Sequence, residues 1–337
     1  MPVSAAHIGS RPNDGRVFER LSRETPATGT QREPAGVGPP VPTAIAVGQA
    51  DASKMLRIDH ATLAASSLER LEDAFAAAGL PTEYGGMHSN GVTEMSLLGF
   101  RDGSYVECIS TAEPDVESPL WDTHIRNDGG PCAWAVRAED ITAEATRLRG
   151  AGITVSGPEP MARERPDGVE LAWELAVPGE GEPGATLPFL IADETPREWR
   201  VSPTPAAADS ELTGIERVVL GVGDADRAAE RFQRAFPDLP EPVREAGEPF
   251  GATLVRFPGA PPVLAEPAAE SWLADRLERF GPSPCGLLLG TTDVERSAER
   301  FGLDARVLWE DREVGWPTGP EGELSEVGVV EVGENAP

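Results

Sequence analysis

The feature that most constrains the fold is a strand-to-helix pattern that starts four times within residues 55–337. Each copy opens with an apolar or alternating strand, passes into an amphipathic helix and ends in further strands. The four opening strands begin near Ile58, Cys132, Ile215 and Cys285. A recurring order of elements indicates a repeated supersecondary unit. One strand–helix–three-strand unit leaves sheet edges open and cannot close a core alone, so we expect the units to pair.

This pairing predicts an α+β protein of tandem βαβββ modules that form curved, mostly antiparallel sheets. We expect a first domain at residues 55–197, with modules at 55–112 and 131–197. A Pro- and Ala-rich linker at 198–210 follows, and residues 211–333 form a second, more degenerate module pair.

Residues 1–54 differ in character from the rest of the chain. They are rich in Pro, Gly, Thr and Ala and have no sustained apolar periodicity. Such a segment cannot bury a core, so it is predicted to be a disordered tail, or the product of a start codon placed too far upstream.

The charge balance restricts the partners of the chain. The net charge is -28, and Lys54 is the single lysine among 29 basic residues. An anionic surface of this kind repels nucleic acid and anionic lipid. It is typical of proteins that work in molar salt, where a Debye length of about 3 Å screens self-repulsion. The sequence therefore predicts a halophilic protein with an acidic surface.

The compartment is predicted from what the sequence lacks. It contains no run of 18 apolar residues, no signal-like N-terminus and no CxxC pair among its three cysteines. We expect a cytoplasmic protein that binds a small-molecule ligand, forms a homo-oligomer, and has neither a nucleic acid nor a membrane as a partner.

Several short segments of the first predicted domain carry a family resemblance. Residues 55–197 resemble the glyoxalase-like branch of the vicinal oxygen chelate superfamily in five places: Ile58-Asp59-His60, Gly85-Gly86-Met87-His88, Asp102-Gly103-Ser104-Tyr105-Val106-Glu107, Ala133-Trp134-Ala135-Val136 and Leu187-Pro188-Phe189-Leu190-Ile191. The resemblance implies that paired modules form a cup. It also implies a divalent metal there, held by His or Glu from the first and last strands of each module.

The family's ligand positions are only half filled. His60 and Glu107 match the positions of the first module, and they are the predicted catalytic and metal-binding residues. The corresponding positions of the second module hold Ala133 and Leu190, which are not ligands. The third and fourth copies, with Arg217 and Gly286, add none. His88, Tyr105 and Trp134 are predicted to line the ligand pocket.

Three interpretations of His60 and Glu107 stay open. They bind a divalent metal together with water or His88, they form a metal-free acid–base pair, or His60 is a buried histidine paired to a carboxylate for packing. In each case strand alternation predicts that Ile58, His60, Thr62 and Ala64 share one face of the first strand. It likewise predicts that Tyr105, Glu107 and Ile109 share one face of the fourth strand. His60 and Glu107 should then point into one concavity. The cofactor is accordingly a divalent metal ion or none.

The sequence leaves three classes of function. The first is an enzyme of lyase, isomerase or dioxygenase type that acts on a small, oxygen-rich substrate. The second is a metal-free protein that sequesters a small ligand, and the third is a structural protein with vestigial cups. Fold analogy alone does not choose among them.

Overall fold

The computed structural model describes residues 56–114, 116–247, 251–268, 270–303, 306–309, 312–316 and 324–332. The predicted tail at 1–54 lies outside these described residues. The described residues belong to one compact unit. No helix among them is long and apolar enough to cross a membrane.

The first half of the described chain forms an eight-stranded mixed sheet. Its elements follow in the order β1 (Ile58–Ala64), α1 (Leu68–Ala77), β2 (Glu83–Met87), β3 (Thr93–Gly99), β4 (Tyr105–Thr111), α2 (Asp122–Arg126), β5 (Gly130–Arg137), α3 (Ile141–Gly150), β6 (Val155–Glu164), β7 (Glu170–Pro178) and β8 (Phe189–Asp193). The spatial order of the strands is β2-β3-β4-β1-β5-β8-β7-β6. Two short helices, α4 (Arg197–Arg200) and α5 (Pro205–Ala208), connect this sheet to the second half.

The second half repeats the same topology. Its elements are β9 (Leu212–Gly221), α6 (Ala225–Ala235), β10 (Val243–Gly247), β11 (Ala252–Arg256), β12 (Pro262–Pro267), α7 (Trp272–Phe280), β13 (Ser283–Thr291), α8 (Val294–Phe301), β14 (Arg306–Trp309), β15 (Arg312–Gly315) and β16 (Val327–Glu331). The strand order is β10-β11-β12-β9-β13-β16-β15-β14.

The two sheets share one rule of pairing. In each module the first and fourth strands pair in parallel, as β1 does with β4, while the other neighbours pair antiparallel. The first strands of the two modules, β1 and β5, lie side by side at the centre of the sheet. The predicted tandem βαβββ fold with curled, mostly antiparallel sheets is confirmed.

Helices α3, α6 and α8 begin at a side-chain cap, whereas α1 begins after Ser67 without one. An aspartate precedes each of α3, α6 and α8 and accepts a hydrogen bond from the third backbone N–H beyond it. Such caps satisfy an orphan donor of the first turn. The apolar face of α1, made of Leu68, Leu71 and Phe75, is buried as expected.

The two halves are joined by a shared apolar cluster and by hydrogen bonds. Trp134 of the first half stacks on Phe232 of the second at 6.3 Å between ring centroids. Ile215 donates its backbone N–H to the Ser104 hydroxyl at 2.9 Å. The division at 198–210 into separate domains stays a prediction.

Candidate functional site

The site begins with an irregularity in β1. Ile58 pairs with Val136 and His60 with Ala135, so Asp59 is an extra residue without its own partner on β5. A β-bulge of this kind interrupts the alternation of side chains. Ile58 therefore packs in the helix-side core, where strict alternation had predicted it beside His60. That expectation was wrong because alternation holds only in a strand without a bulge.

The bulge lets two neighbouring side chains interact. The Oδ1 atom of Asp59 lies 2.7 Å from Nδ1 of His60. Both residues are buried, with Asp59 at 0% exposure and His60 at 4%. His60 is thereby fixed in orientation by its sequence neighbour, and its Nε2 atom points away from Asp59.

Glu107 of β4 faces the same concavity as His60. We name this concavity the first cup: the face of the first sheet opposite α1 and α3. Glu107 pairs in register with Thr62, and its Oε2 atom lies 3.8 Å from Nε2 of His60. The structure thus brings together the two residues that were predicted as the centre of the site.

His88 completes the cluster from the loop after β2. Its Nε2 atom lies 3.1 Å from Oε1 of Glu107, and its Nδ1 atom lies 2.9 Å from the Thr93 hydroxyl. Asn90 in turn holds both the hydroxyl and the backbone N–H of Thr93. The loop is folded around its own hydrogen bonds, so His88 reaches Glu107 in a fixed position.

The electrostatic environment keeps Glu107 ionised. Burial by itself raises the pKa of this carboxyl. The hydrogen bond and charge of His88, with the charges of His60 and Arg163, outweigh burial and lower the pKa to about 2. Glu107 is therefore an anion at every pH at which the protein is expected to work.

Asp59 is held as an anion by two arginines that sequence reasoning did not select. Burial raises its pKa, but Arg200, followed by His60, lowers it well below the ordinary value. Arg200 donates from Nη1 and Nη2 to the two carboxylate oxygens, each at 3.0 Å. Arg197 adds a bond of 2.5 Å to Oδ2. Both arginines lie in or beside the segment that composition had identified as a linker.

The protonation of Asp59 decides the tautomer of His60. An ionised carboxylate only accepts hydrogen bonds, so Nδ1 of His60 must carry a proton and donate it to Asp59. In the neutral imidazole Nε2 is then the lone-pair nitrogen, and in the imidazolium it carries the second proton, which faces Glu107.

The walls of the cup are aromatic and apolar. The ring of His60 stacks on Tyr105 at 4.7 Å and meets the edge of Phe189 at 5.2 Å. The Tyr105 hydroxyl accepts a hydrogen bond of 2.9 Å from Arg200. Burial, the largest cause, raises the pKa of Tyr105, so its hydroxyl stays neutral.

Trp134, the third predicted pocket residue, lies elsewhere. It belongs to the helix-side core, where it stacks on Phe232 and donates Nε1–H to the backbone oxygen of Thr186. The alternation of β5 puts Ala133 and Ala135 on the cup face instead. The tryptophan therefore stabilises the core and does not line the cup.

The superfamily resemblance implies a divalent metal at the cluster of His60, Glu107 and His88. Imidazole and carboxylate are suitable donor types. Within the described residues, however, no group of three or more His, Cys, Asp or Glu side chains could hold a metal ion. Oε1 of Glu107 is already bonded to His88, and the facing strand β5 places Ala133 and Ala135 on this face, beside the buried thiol of Cys132. The arrangement does not fit a metal site.

The corresponding face of the second sheet is filled by apolar side chains. Its interior is an apolar cluster that includes Val219, Leu254, Leu288 and the tryptophan pair Trp309 and Trp316. Arg217, at the predicted equivalent of His60, forms an ion pair with its neighbour Glu216. The described side chains of this sheet thus repeat the fold of the first sheet without its His–Glu cluster.

Comparisons with known proteins agree with this architecture. A family model described as a glyoxalase-like domain matches residues 58–236. A hypothetical protein from Staphylococcus aureus superimposes with a TM-score of 0.54 at 13% identity, covering 82% of this chain and 99% of its own. A triple mutant of 4-hydroxymandelate synthase from Streptomyces coelicolor gives 0.53 at 15% identity, covering 82% and 92%.

The similarity to solved structures establishes the fold of the chain, and the family model establishes which family it belongs to. No curated protein matches the chain by sequence. The family match begins at β1, which carries Asp59 and His60, and continues through α6, so it includes the whole His60–Glu107–His88 cluster. The chain belongs to the family of glyoxalase-like domain proteins.

Proposed function

We propose that this protein is an enzyme of lyase or isomerase type that moves a proton on a small, oxygen-rich substrate in the first cup. His60 is its general base, and no metal ion takes part in the proton transfer. The observation that carries the proposal is the Asp59–His60 pair, whose free Nε2 atom lies 3.8 Å from an ionised carboxylate.

The first requirement of a base is a lone pair in a fixed position. Asp59 is kept ionised by Arg200, so it holds the Nδ1–H of His60 and makes Nε2 the nitrogen that accepts and releases a proton. Stacking on Tyr105 prevents the ring from rotating. An orientation set by a buried carboxylate is a recurrent way to prepare a histidine for proton transfer.

The second requirement is that the protonated base be stabilised. After accepting a proton at Nε2, the imidazolium of His60 lies between two anions, Asp59 at Nδ1 and Glu107 at Nε2. Because all three side chains are buried, these charges act with little screening by solvent. His88 holds the other oxygen of Glu107, so the carboxylate does not turn away from His60.

An unsatisfied hydroxyl supports a ligand at this place. Oγ1 of Thr62 is buried and has no hydrogen-bond partner among the described residues. Thr62 pairs in register with Glu107, so its hydroxyl belongs to the cup face beside the cluster. A buried polar atom without a partner calls for a bound polar group, such as a water or a substrate oxygen. A substrate that carries a hydroxyl or carbonyl next to the transferred proton fits this need.

The test is isotope exchange, because it does not require the natural substrate. The protein is incubated in D₂O and molar salt with pyruvate, dihydroxyacetone and glycolaldehyde, and deuterium uptake at the carbon next to the carbonyl is followed by NMR. Enzyme-dependent exchange is expected in at least one compound. His60→Gln should reduce its rate by about 10²–10⁴-fold, the usual contribution of a general base.

The controls distinguish loss of the general base from a metal requirement and from loss of the folded state. Glu83→Gln, an exposed residue of β2, should leave the rate unchanged. Exchange should also survive EDTA and gain nothing from added Mn²⁺ or Zn²⁺. No exchange with any of the three compounds, an unchanged rate in His60→Gln, or activity that needs the metal would each contradict the proposal.

A second candidate, sequestration of a small ligand, is favoured by the burial of the cluster. His60 and Glu107 are only 4% and 6% exposed, which suits a ligand held without reaction. Saturable binding of the same compounds, lost in Glu107→Gln and unaccompanied by isotope exchange, would support this function over the first.

A further inference from the structure

A cavity lies between the two halves of the described chain, apart from the His60–Glu107–His88 cluster. Its volume is about 410 Å³, within the range of small-molecule sites. Its lining includes Ala65 and Leu71 from the first half, and Trp272, Arg276, Arg279 and Phe280 from the second. Nothing in the proposed function uses this space.

The unusual residue of this cavity is Arg276. It is 8% exposed, and its guanidinium donates only to backbone oxygens: Gly129 at 2.7 Å, Pro131 at 2.6 Å and Pro284 at 2.8 Å. Its Nε atom is buried and has no hydrogen-bond partner in the described part of the chain. A buried cation without a carboxylate partner is costly and calls for a counter-charge.

A second cation lies at the rim of the same cavity. Arg279 donates to the neutral side-chain oxygen of Asn127 at 2.5 Å. The guanidinium carbons of Arg276 and Arg279 lie 5.0 and 5.3 Å from the centroid of the Phe280 ring. Two guanidinium groups thus approach one aromatic ring, and among the described residues neither forms an ion pair with a carboxylate.

The carboxylates of the lining are engaged or exposed. Asp128 pairs with Arg70 at 2.7 Å and accepts two hydrogen bonds from Ser66. Glu326 accepts a hydrogen bond from Ser325 at 3.1 Å, and Asp275 is exposed. Nearby His124 adds no positive charge near neutral pH, because burial and then Arg276 lower its pKa to about 4.

From this geometry we propose that the cavity binds a small organic monocarboxylate with an apolar body. The carboxylate occupies the side of Arg276 and Arg279, and the apolar part packs against Trp272, Phe280 and Leu71. Two guanidinium groups that form no ion pair with a described carboxylate, beside apolar walls, are what such a ligand needs.

The test uses benzoate as the probe, with benzamide as its neutral match, in isothermal titration at constant salt. The full chain should bind benzoate saturably and bind benzamide at least tenfold more weakly, since a charge-assisted hydrogen bond is worth about 1.5–3 kcal/mol. Arg279→Gln, at an exposed position that should not affect folding, should weaken benzoate binding by about tenfold or more.

Two further variants locate the site. Ala65→Met should fill the cavity and abolish binding, and its melting temperature reports whether the fold survives. Arg244→Gln makes the same charge change at an exposed site on β10 that does not line the cavity, and should leave the affinity within about twofold. Absence of saturable benzoate binding, equal affinity for benzamide, or unchanged affinity in Arg279→Gln or folded Ala65→Met would overturn the proposal.

Discussion

The Nε2 atom of His60 and the Oε2 atom of Glu107, on parallel neighbouring strands, lie 3.8 Å apart in the first cup. Each has a second partner: His60 is held by Asp59 and Glu107 by His88. Four ionisable side chains therefore form one chain of contacts, and several measurable properties of the protein follow from it.

Replacing Glu107 with Gln should make the free energy of unfolding depend less on pH below pH 5. The pKa of Glu107, about 2, lies below its ordinary value of 4.5. Its ionised form stabilises the native state fully above pH 4.5, and that contribution disappears as the pH falls from 4.5 towards 2. Urea unfolding at fixed salt should show a smaller stability change between pH 5 and pH 3 in Glu107→Gln than in the wild type or in Glu83→Gln. Equal slopes would contradict the assignment.

Replacing Asp59 with Asn should destabilise the protein by about 3 kcal/mol, because it leaves the buried Arg200 with one carboxylate fewer. Asp193→Asn, which removes the partly exposed partner of the same arginine, should cost less. Chemical denaturation gives both values. In addition, ¹⁵N NMR of the His60 ring should show that Nδ1 is no longer preferentially protonated in Asp59→Asn. A loss below that of Asp193→Asn would be inconsistent with the role given to Asp59.

His124 should make the protein sensitive to mild acid. Burial, and then Arg276, lower its pKa from 6.5 to about 4. Between pH 6.5 and pH 4 the unfolded chain therefore binds a proton at His124 that the native state does not bind. The free energy of unfolding falls as the pH drops through this range. The loss is on the order of 3 kcal/mol. His124→Gln should remove this pH dependence, whereas His7→Gln, outside the described residues, should keep it. A wild-type slope in His124→Gln would disprove the explanation.

The fold is expected to need salt. A net charge of -28 repels itself unless it is screened, and the Debye length grows from about 3 Å in molar salt to about 10 Å at 0.1 M. Circular dichroism and thermal melting should show loosening or a lower melting temperature as salt is withdrawn. Unchanged stability at low salt would refute a halophilic origin of the charge.

Residues 1–54 are expected to be dispensable. Their composition cannot bury a core, and β1, the first strand among the described residues, begins at Ile58. A chain that begins at Met55 should keep the melting temperature and the solubility of the full chain. A clear loss of cooperative unfolding on truncation would show that the segment contributes to the fold.

The order of elements could be predicted from the sequence because it depends on local patterns. Alternation gave the strands, and the apolar spacing of Leu68, Leu71 and Phe75 gave α1. Helix α7 was not predicted, because it lies between two strands where the repeated unit has no helix. The sequence does contain its cap: the Ser271 hydroxyl accepts a hydrogen bond from the backbone N–H of Ala274. Short strands such as β10 and β15 were missed because four or five residues carry too little periodicity.

The amino-acid sequence by itself determined that His60 and Glu107 lie on strands that open and close one module, and that the second module has no matching ligands. Only the tertiary structure decided what surrounds them. The bulge at Asp59 depends on pairing with β5, and Arg200 reaches Asp59 across 141 residues of chain. His88 approaches Glu107 because β2 pairs with β3. Contacts of this kind join residues that are distant in the chain, so they cannot be predicted from a local sequence pattern. These contacts fix the charge and orientation of the side chains in the site.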